Sequence, residues 1–209
     1  MINPGDRVQW IYAADNKEEL QARYDQWAAE YDRDLDDEFG YVAPARAADA
    51  FARFLSTDAI VLDAGAGTGL AGVELAKRGF AVIDAIDLSQ GMLDEAAAKG
   101  VYRTLRQVDL TERAPIDDDT YDGCLCVGTL THGHVPASAI DELVRVVKPG
   151  GLFVYTLRRD IIESHGFGAK HAELEAAGKV RLLERGDPFQ GLPKGEPDLV
   201  YNIWAFRVL

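Results

Sequence analysis

The residues best suited to chemistry concentrate in one stretch, Asp63-Ala64-Gly65-Ala66-Gly67-Thr68-Gly69. An apolar run precedes it, and Leu70, Val73, Leu75 and Ala76 follow at helical spacing. Such a pattern predicts a buried parallel strand, a turn, and a helix packed back on the strand. Glycines in that turn let the main chain bend sharply and lie close to a ligand, while the helix start offers unpaired N–H groups. Two registers compete. Gly67-x-Gly69-x-x-Gly72, with Asp87 20 positions after Gly67, fits a dinucleotide fingerprint with a ribose-binding carboxylate, as in a nicotinamide-dependent oxidoreductase. Asp63-x-Gly65-x-Gly67-x-Gly69 instead sets an acid before the first glycine. An acid there sits badly beside a pyrophosphate and suits a positively charged amino group. The second register therefore points to a cationic cofactor.

His132 and His134 follow a second apolar run, at 121–127, and could face an acceptor as general bases or fix the loop they sit in. Two histidines this close resemble a metal pair, but no third ligand is evident and no metal is expected. Cys124 and Cys126 lie inside that run and are expected as core thiols on opposite faces of one strand, unpaired with each other. An apolar strand raises a thiol pKa, so Cys126 is not expected as a nucleophile.

Several elements must position these residues. A helix from Lys17, capped by Asp15 or Asn16, is expected to turn Leu20, Tyr24, Trp27, Ala28 and Tyr31 to one face and to stop by Gly40. The acidic run at 32–38 reads as a solvated turn. A second helix is expected over 43–55, with Pro44 in its first turn. Strands over 59–63, 80–86, 102–107, 121–127 and 152–157 then alternate with helices over 70–78, 90–99 and 137–147, and Lys148-Pro149-Gly150-Gly151 is a stop and turn. Alternation of this kind predicts a parallel sheet with helices on both faces. A short helix near 169–177 and an antiparallel hairpin of strands over 180–184 and 199–208 complete the chain.

With 209 residues, 47% hydrophobic and 27% charged, the chain reads as one globular unit, and a secretory leader or membrane span is not expected. A cytoplasmic protein follows as the default. A net charge of −13 without a basic patch argues against nucleic-acid partners.

Leu62-Asp63-Ala64-Gly65-Ala66-Gly67-Thr68-Gly69 resembles motif I of the class I S-adenosylmethionine-dependent methyltransferases. Four later features fall in that family's order: Ile86-Asp87-Leu88-Ser89, Asp109-Leu110, Tyr121-Asp122, and the stretch from Leu143 through Lys148-Pro149-Gly150-Gly151. Tyr24-Asp25-x-Trp27-Ala28-x-x-Tyr31-Asp32 is similar to the entry helix of small-molecule members, most closely the Williams-Beuren-region methyltransferase-like group. The resemblance implies an α/β, Rossmann-like fold with a mostly parallel seven-stranded sheet, an antiparallel C-terminal hairpin and helices on both faces. It implies a helical lid over residues 1–55 and a cofactor-binding domain over 56–209. It also implies direct in-line methyl transfer to a small-molecule acceptor, leaving S-adenosylhomocysteine, by a monomer or homodimer without nucleic-acid or membrane partners.

Residue by residue, it implies that Gly65, Ala66 and Gly67 approach the methionine part of the cofactor, with Asp63 anchoring that end. Asp87 would accept from the ribose hydroxyls, Leu88 and Met92 would pack on adenine, and Asp109 and Leu110 would pair with its edge. Cys126, Val127 and Gly128 would line the methylthio end, and Tyr24, Trp27 and Tyr31 would cover the sulfonium or dock the helix. His132 matches a histidine that is often structural in the family, which ranks His134 ahead as a base. The alternatives are the oxidoreductase and a non-catalytic cofactor-binding module.

Overall fold

The apolar run before the glycines forms β1 (Ile60–Ala64), an interior strand of the sheet in a computed structural model that describes residues 2–131 and 135–209. Around it lie β2 (Val82–Asp87), β3 (Thr104–Gln107), β4 (Tyr121–Cys126) and β5 (Val147–Arg158), all parallel. The C-terminal strands are β6 (Val180–Arg185), β7 (Phe189–Leu192) and β8 (Glu196–Val208). Strand order is β3-β2-β1-β4-β5-β8-β6, and β7 pairs with β8. Because the chain leaves β1 in one direction for β2 and β3 and returns on its other side for β4, the order reverses between β1 and β4. A crevice opens there beyond the carboxyl ends of the strands, the place where open α/β sheets bind ligands.

Helices α1 (Arg7–Tyr12), α2 (Lys17–Asp34) and α3 (Ala43–Phe54) precede the sheet; α4 (Leu70–Lys77), α5 (Gln90–Ala98), α6 (Ala139–Arg145) and α7 (Phe167–Ala176) follow. Asn16 caps α2 by accepting the Glu19 N–H at 2.9 Å, and Ser89 caps α5 by accepting that of Met92 at 3.0 Å. Helix α3 belongs to the sheet's core: Ala47, Ala50 and Phe51 share one buried cluster with Val61, Leu125 and Leu152. Helices α1 and α2 form a separate cluster of Val8, Ile11, Leu20 and Trp27 with Phe39 and Leu192.

The expected hairpin forms as β6 and β8, and β8 also pairs antiparallel with β5, so it is interior and β6 is the edge. Five local readings change. The Gly- and Pro-rich loop contains the short strand β7, and α1 forms ahead of α2. Lys148 to Gly151 does not interrupt the chain as a turn; β5 starts at Val147 opposite Tyr121, and a register shift before Gly123 absorbs the glycines. The acidic run is not all solvated. A π-helical turn over Leu35–Phe39 continues α2, and Asp34 is 2% exposed, accepting from Arg7 Nη1 at 2.7 Å and Trp27 Nε1 at 2.9 Å. A buried carboxylate survives because it is paired and hydrogen-bonded. Cys124 and Cys126 are both buried and free, but they share one face, since side chains two apart in a strand point the same way.

Candidate functional site

The glycine turn is held against β2. Ile86 O accepts the N–H groups of Gly65 at 2.8 Å and Ala66 at 3.1 Å. Gly65 and Gly67 have φ of +70° and +54°, a region L side chains rarely adopt. A Cβ on Gly65 would lie 2.2 Å from Thr129 Oγ1, whereas among the described residues nothing lies within 4 Å of one on Gly67. Gly67 therefore presents bare main chain to open space. That space is a cleft of about 210 Å³ at the crevice beyond the strand ends.

Asp87, last in β2, bridges the turn and the cleft. Its Oδ2 accepts from Gly67 N at 2.8 Å and its Oδ1 from Ser89 N at 2.9 Å. Burial pushes its carboxyl above the ordinary range, against these donors. Each oxygen keeps acceptor capacity for a ligand. Leu88, Met92, Val108 and Leu110 form an apolar wall beside it, and Asp109 stands at the edge. The Asp109 carboxylate is engaged already: Lys17 Nζ donates to Oδ2 at 2.6 Å, and the Thr111 N–H and hydroxyl donate to Oδ1. These donors hold Asp109 below the usual carboxylate range against a desolvation cost that raises it.

Val127 and Gly128, just past β4, line the opposite end with Thr129. The Gly128 N–H donates to Thr156 Oγ1 at 2.9 Å, and a Cβ there would meet the Tyr41 hydroxyl at 2.6 Å. From above, α2 contributes Tyr24 and Tyr31. It is fastened at two points. Asp25 Oδ1 accepts from Ser89 Oγ at 2.5 Å and Gly91 N at 2.9 Å; Asp32 accepts from Thr68 Oγ1 and pairs with Lys99 Nζ at 2.6 Å.

Eleven of the expected residues thus meet around one cleft: Tyr24, Tyr31, Gly65, Gly67, Asp87, Leu88, Met92, Asp109, Leu110, Val127 and Gly128. Four do not line it. Asp63 is fully buried under the turn, where its Oδ2 accepts from the Tyr102 hydroxyl at 2.6 Å and its Oδ1 has no hydrogen-bond partner among the described residues. Burial pushes its carboxyl up to about 7. Ala66 faces a small neighbouring pocket, Trp27 turns its indole N–H to Asp34, and Cys126 is buried, its thiol pushed up to about 12. His132 and His134 lie outside the described residues. Among the described residues no group of three His, Cys, Asp or Glu is arranged to hold a metal, and no helix is long and apolar enough to cross a membrane.

Sequence reading missed Lys17, Leu20, Thr111, Thr129 and Val135 on the cleft wall, and the Asp25 and Asp32 fasteners. The fasteners had a signal. Asp25 and Asp32 each follow a cleft tyrosine and are seven apart, two turns along one helix face. The donor set suits a ligand with hydroxyls at Asp87, a flat apolar group against Leu88 and Met92, and a body lying along Gly65 and Gly67.

A family profile described as a methyltransferase domain matches residues 62–155. The chain is 42% identical to human methyltransferase-like protein 27 over 173 residues, covering 81% of this chain and 67% of that protein. A SAM-dependent methyltransferase structure from Thermotoga maritima superposes with a TM-score of 0.61 at 17% identity, covering 88% and 97% of the two chains. The structure of the cyclase SpnF gives 0.71 at 19% identity, covering 93% and 97%. At such identities the two structures speak for the fold alone.

Proposed function

Because this chain belongs to the class I S-adenosylmethionine-dependent methyltransferases, we propose that the cleft holds S-adenosylmethionine and that the enzyme passes its methyl group in line to a small-molecule acceptor. Membership sets aside the oxidoreductase and the non-catalytic module. One observation carries the placement: Asp87, tied to the bare Gly67 main chain, faces a cleft walled by Leu88 and Met92 on one side and Val127 and Gly128 on the other. When bound, the cofactor supplies a methyl carbon on a sulfonium, to which the acceptor's lone pair bonds as the C–S pair returns to sulfur.

The protein's own part is positioning and exclusion of water. Asp87 accepts from the ribose hydroxyls, Leu88 and Met92 hold the adenine, and Asp109 and Leu110 take its edge. Gly65, Ala66 and Gly67 run along the methionine part. Asp63 acts from beneath, holding the turn through Tyr102 rather than touching the ligand. Helices α1 and α2 are the lid, with Tyr24 and Tyr31 over the sulfonium; Asp25 and Asp32 fasten it. His134, ahead of His132, is the base for acceptors that must lose a proton; Val135, next in the chain, lines the cleft. The net charge of −13 argues against a nucleic-acid partner, and a cytoplasmic enzyme, monomeric or homodimeric and without a membrane partner, is part of the same proposal.

Calorimetry tests the cofactor: S-adenosylhomocysteine should bind and NADH should not. A radiolabelled methyl donor with a cell extract tests the acceptor. Label in the low-molecular-weight fraction is expected, and label confined to protein or nucleic acid overturns the small-molecule reading.

A further inference from the structure

The cofactor cleft does not end at Tyr24, Tyr31 and Gly128. The same three residues line a second, partly open chamber of about 50 Å³ together with Ile11, Tyr12, Trp27, Tyr41, Leu192 and Tyr201. Burial raises the Tyr24, Tyr31, Tyr41 and Tyr201 hydroxyls above their ordinary range, so the chamber is aromatic and uncharged at neutral pH. Tyr12 also lines an outer pocket of about 350 Å³, with Gln9, Ala13, Leu199 and Arg158. Tyr24, Tyr31 and Gly128 are thus common to the cleft and the chamber, and Tyr12 is common to the chamber and the outer pocket.

Arg158 is the cation of this outer pocket. It ends β5, opposite Tyr201 in the ladder, and its guanidinium lies 5.4 Å from the centre of the Tyr12 ring. Asp160 accepts from its Nε at 3.1 Å and its Nη2 at 2.5 Å. The pair is lopsided, with Arg158 11% and Asp160 58% exposed. The fork occupies one N–H each of Nε and Nη2, so an incoming carboxylate uses the remaining guanidinium N–H groups or displaces the largely exposed Asp160. Thr156, which receives the Gly128 N–H, lies two residues before Arg158 on the same strand face. That puts the guanidinium's anchor about 7 Å along the strand from the methyl-delivering end of the cleft. One aromatic ring spans such a gap.

We propose that the acceptor is a flat aromatic acid whose ring lies among the chamber tyrosines and whose carboxylate pairs with Arg158, so that its methyl-accepting atom, at the far end, points past Gly128. This rests on the cofactor placement proposed above. The net charge of −13 opposes an anion at long range, but salt screens that field, whereas a buried guanidinium acts at contact with paired hydrogen bonds.

The test measures binding of 4-hydroxyphenylacetate and 4-hydroxybenzoate, each against its amide, to the protein saturated with S-adenosylhomocysteine. The acids should bind at least tenfold more tightly than the amides. Arg158→Gln should erase that preference, Asp160→Asn should strengthen it several-fold, and neither should alter affinity for S-adenosylhomocysteine. Equal binding of acid and amide, no acid binding to the loaded wild type, or a preference that survives Arg158→Gln overturns the proposal. Failure of S-adenosylhomocysteine itself to bind overturns the cofactor placement instead. The comparison of acid with amide on the wild type, and Asp160→Asn, decide the matter even if Arg158→Gln does not fold.

Discussion

The Asp87 carboxylate accepts the Gly67 N–H at 2.8 Å, so one side chain both shapes the glycine turn and faces the cleft that the turn borders. Its second oxygen takes the Ser89 N–H. Asp87→Ala should therefore weaken S-adenosylhomocysteine binding by about 1–3 kcal/mol, the cost of a lost charge-assisted acceptor. Asp87→Asn should not rescue it, because its amide N–H would oppose one of two backbone donors. Calorimetry on both variants checks this, and unchanged affinity in either removes Asp87 from the site.

Gly65 and Gly67 should separate stability from binding. Gly67→Ala meets no atom of the described residues but adopts a positive φ, a strain of about 1–2 kcal/mol, and its methyl enters the cleft. It should fold, slightly destabilised, with much weaker S-adenosylhomocysteine binding. Gly65→Ala adds a collision with Thr129 and should lose clearly more stability than Gly67→Ala in urea unfolding.

Asp63 should make stability fall with rising pH. Its folded pKa, about 7, lies above the roughly 3.9 of an unfolded aspartate. Between about pH 4 and 7 the folded chain holds a proton that the unfolded chain has lost, so this group's contribution is full below that window and gone above it. Asp63→Asn cannot ionise. Relative to wild type it should gain on the order of 1 kcal/mol per pH unit across the window. Urea midpoints at several pH values measure the difference, and parallel profiles for the two proteins would contradict it.

Arg7 should matter through Asp34 rather than by itself. Arg7→Met strands a carboxylate that is 2% exposed and, among the described residues, keeps Trp27 Nε1 and the exposed Arg33 as side-chain donors. The expected loss is about 1–3 kcal/mol, with most of it recovered in Arg7→Met/Asp34→Asn, since removing both charges removes the stranded one. An additive double mutant would show that the pair is not coupled.

Much of the fold is legible along the chain because its signals are local. The apolar runs before Asp63, Asp87 and Gly128, and the glycines after them, set strand, turn and helix within a dozen residues each. Eleven of the expected residues line one cleft for the same reason: all but the two tyrosines and Met92, in the first turn of α5, sit at strand ends and turns, which a parallel sheet brings to one edge.

Tertiary packing decided what spacing cannot encode. Asp63 could read as a ligand anchor until Tyr102, 39 residues on, claimed its carboxylate. Asp109 could read as a free acceptor until Lys17, 92 residues earlier, paired with it. Asp34 could read as solvated until Arg7 and Trp27 closed over it, and Arg158 gained its place beside Tyr12 only when α1 folded against the end of β5. A side chain's type and its neighbours along the chain set what it can bond to; which partner reaches it first, and whether water is left there to compete, depends on residues brought together only by the fold.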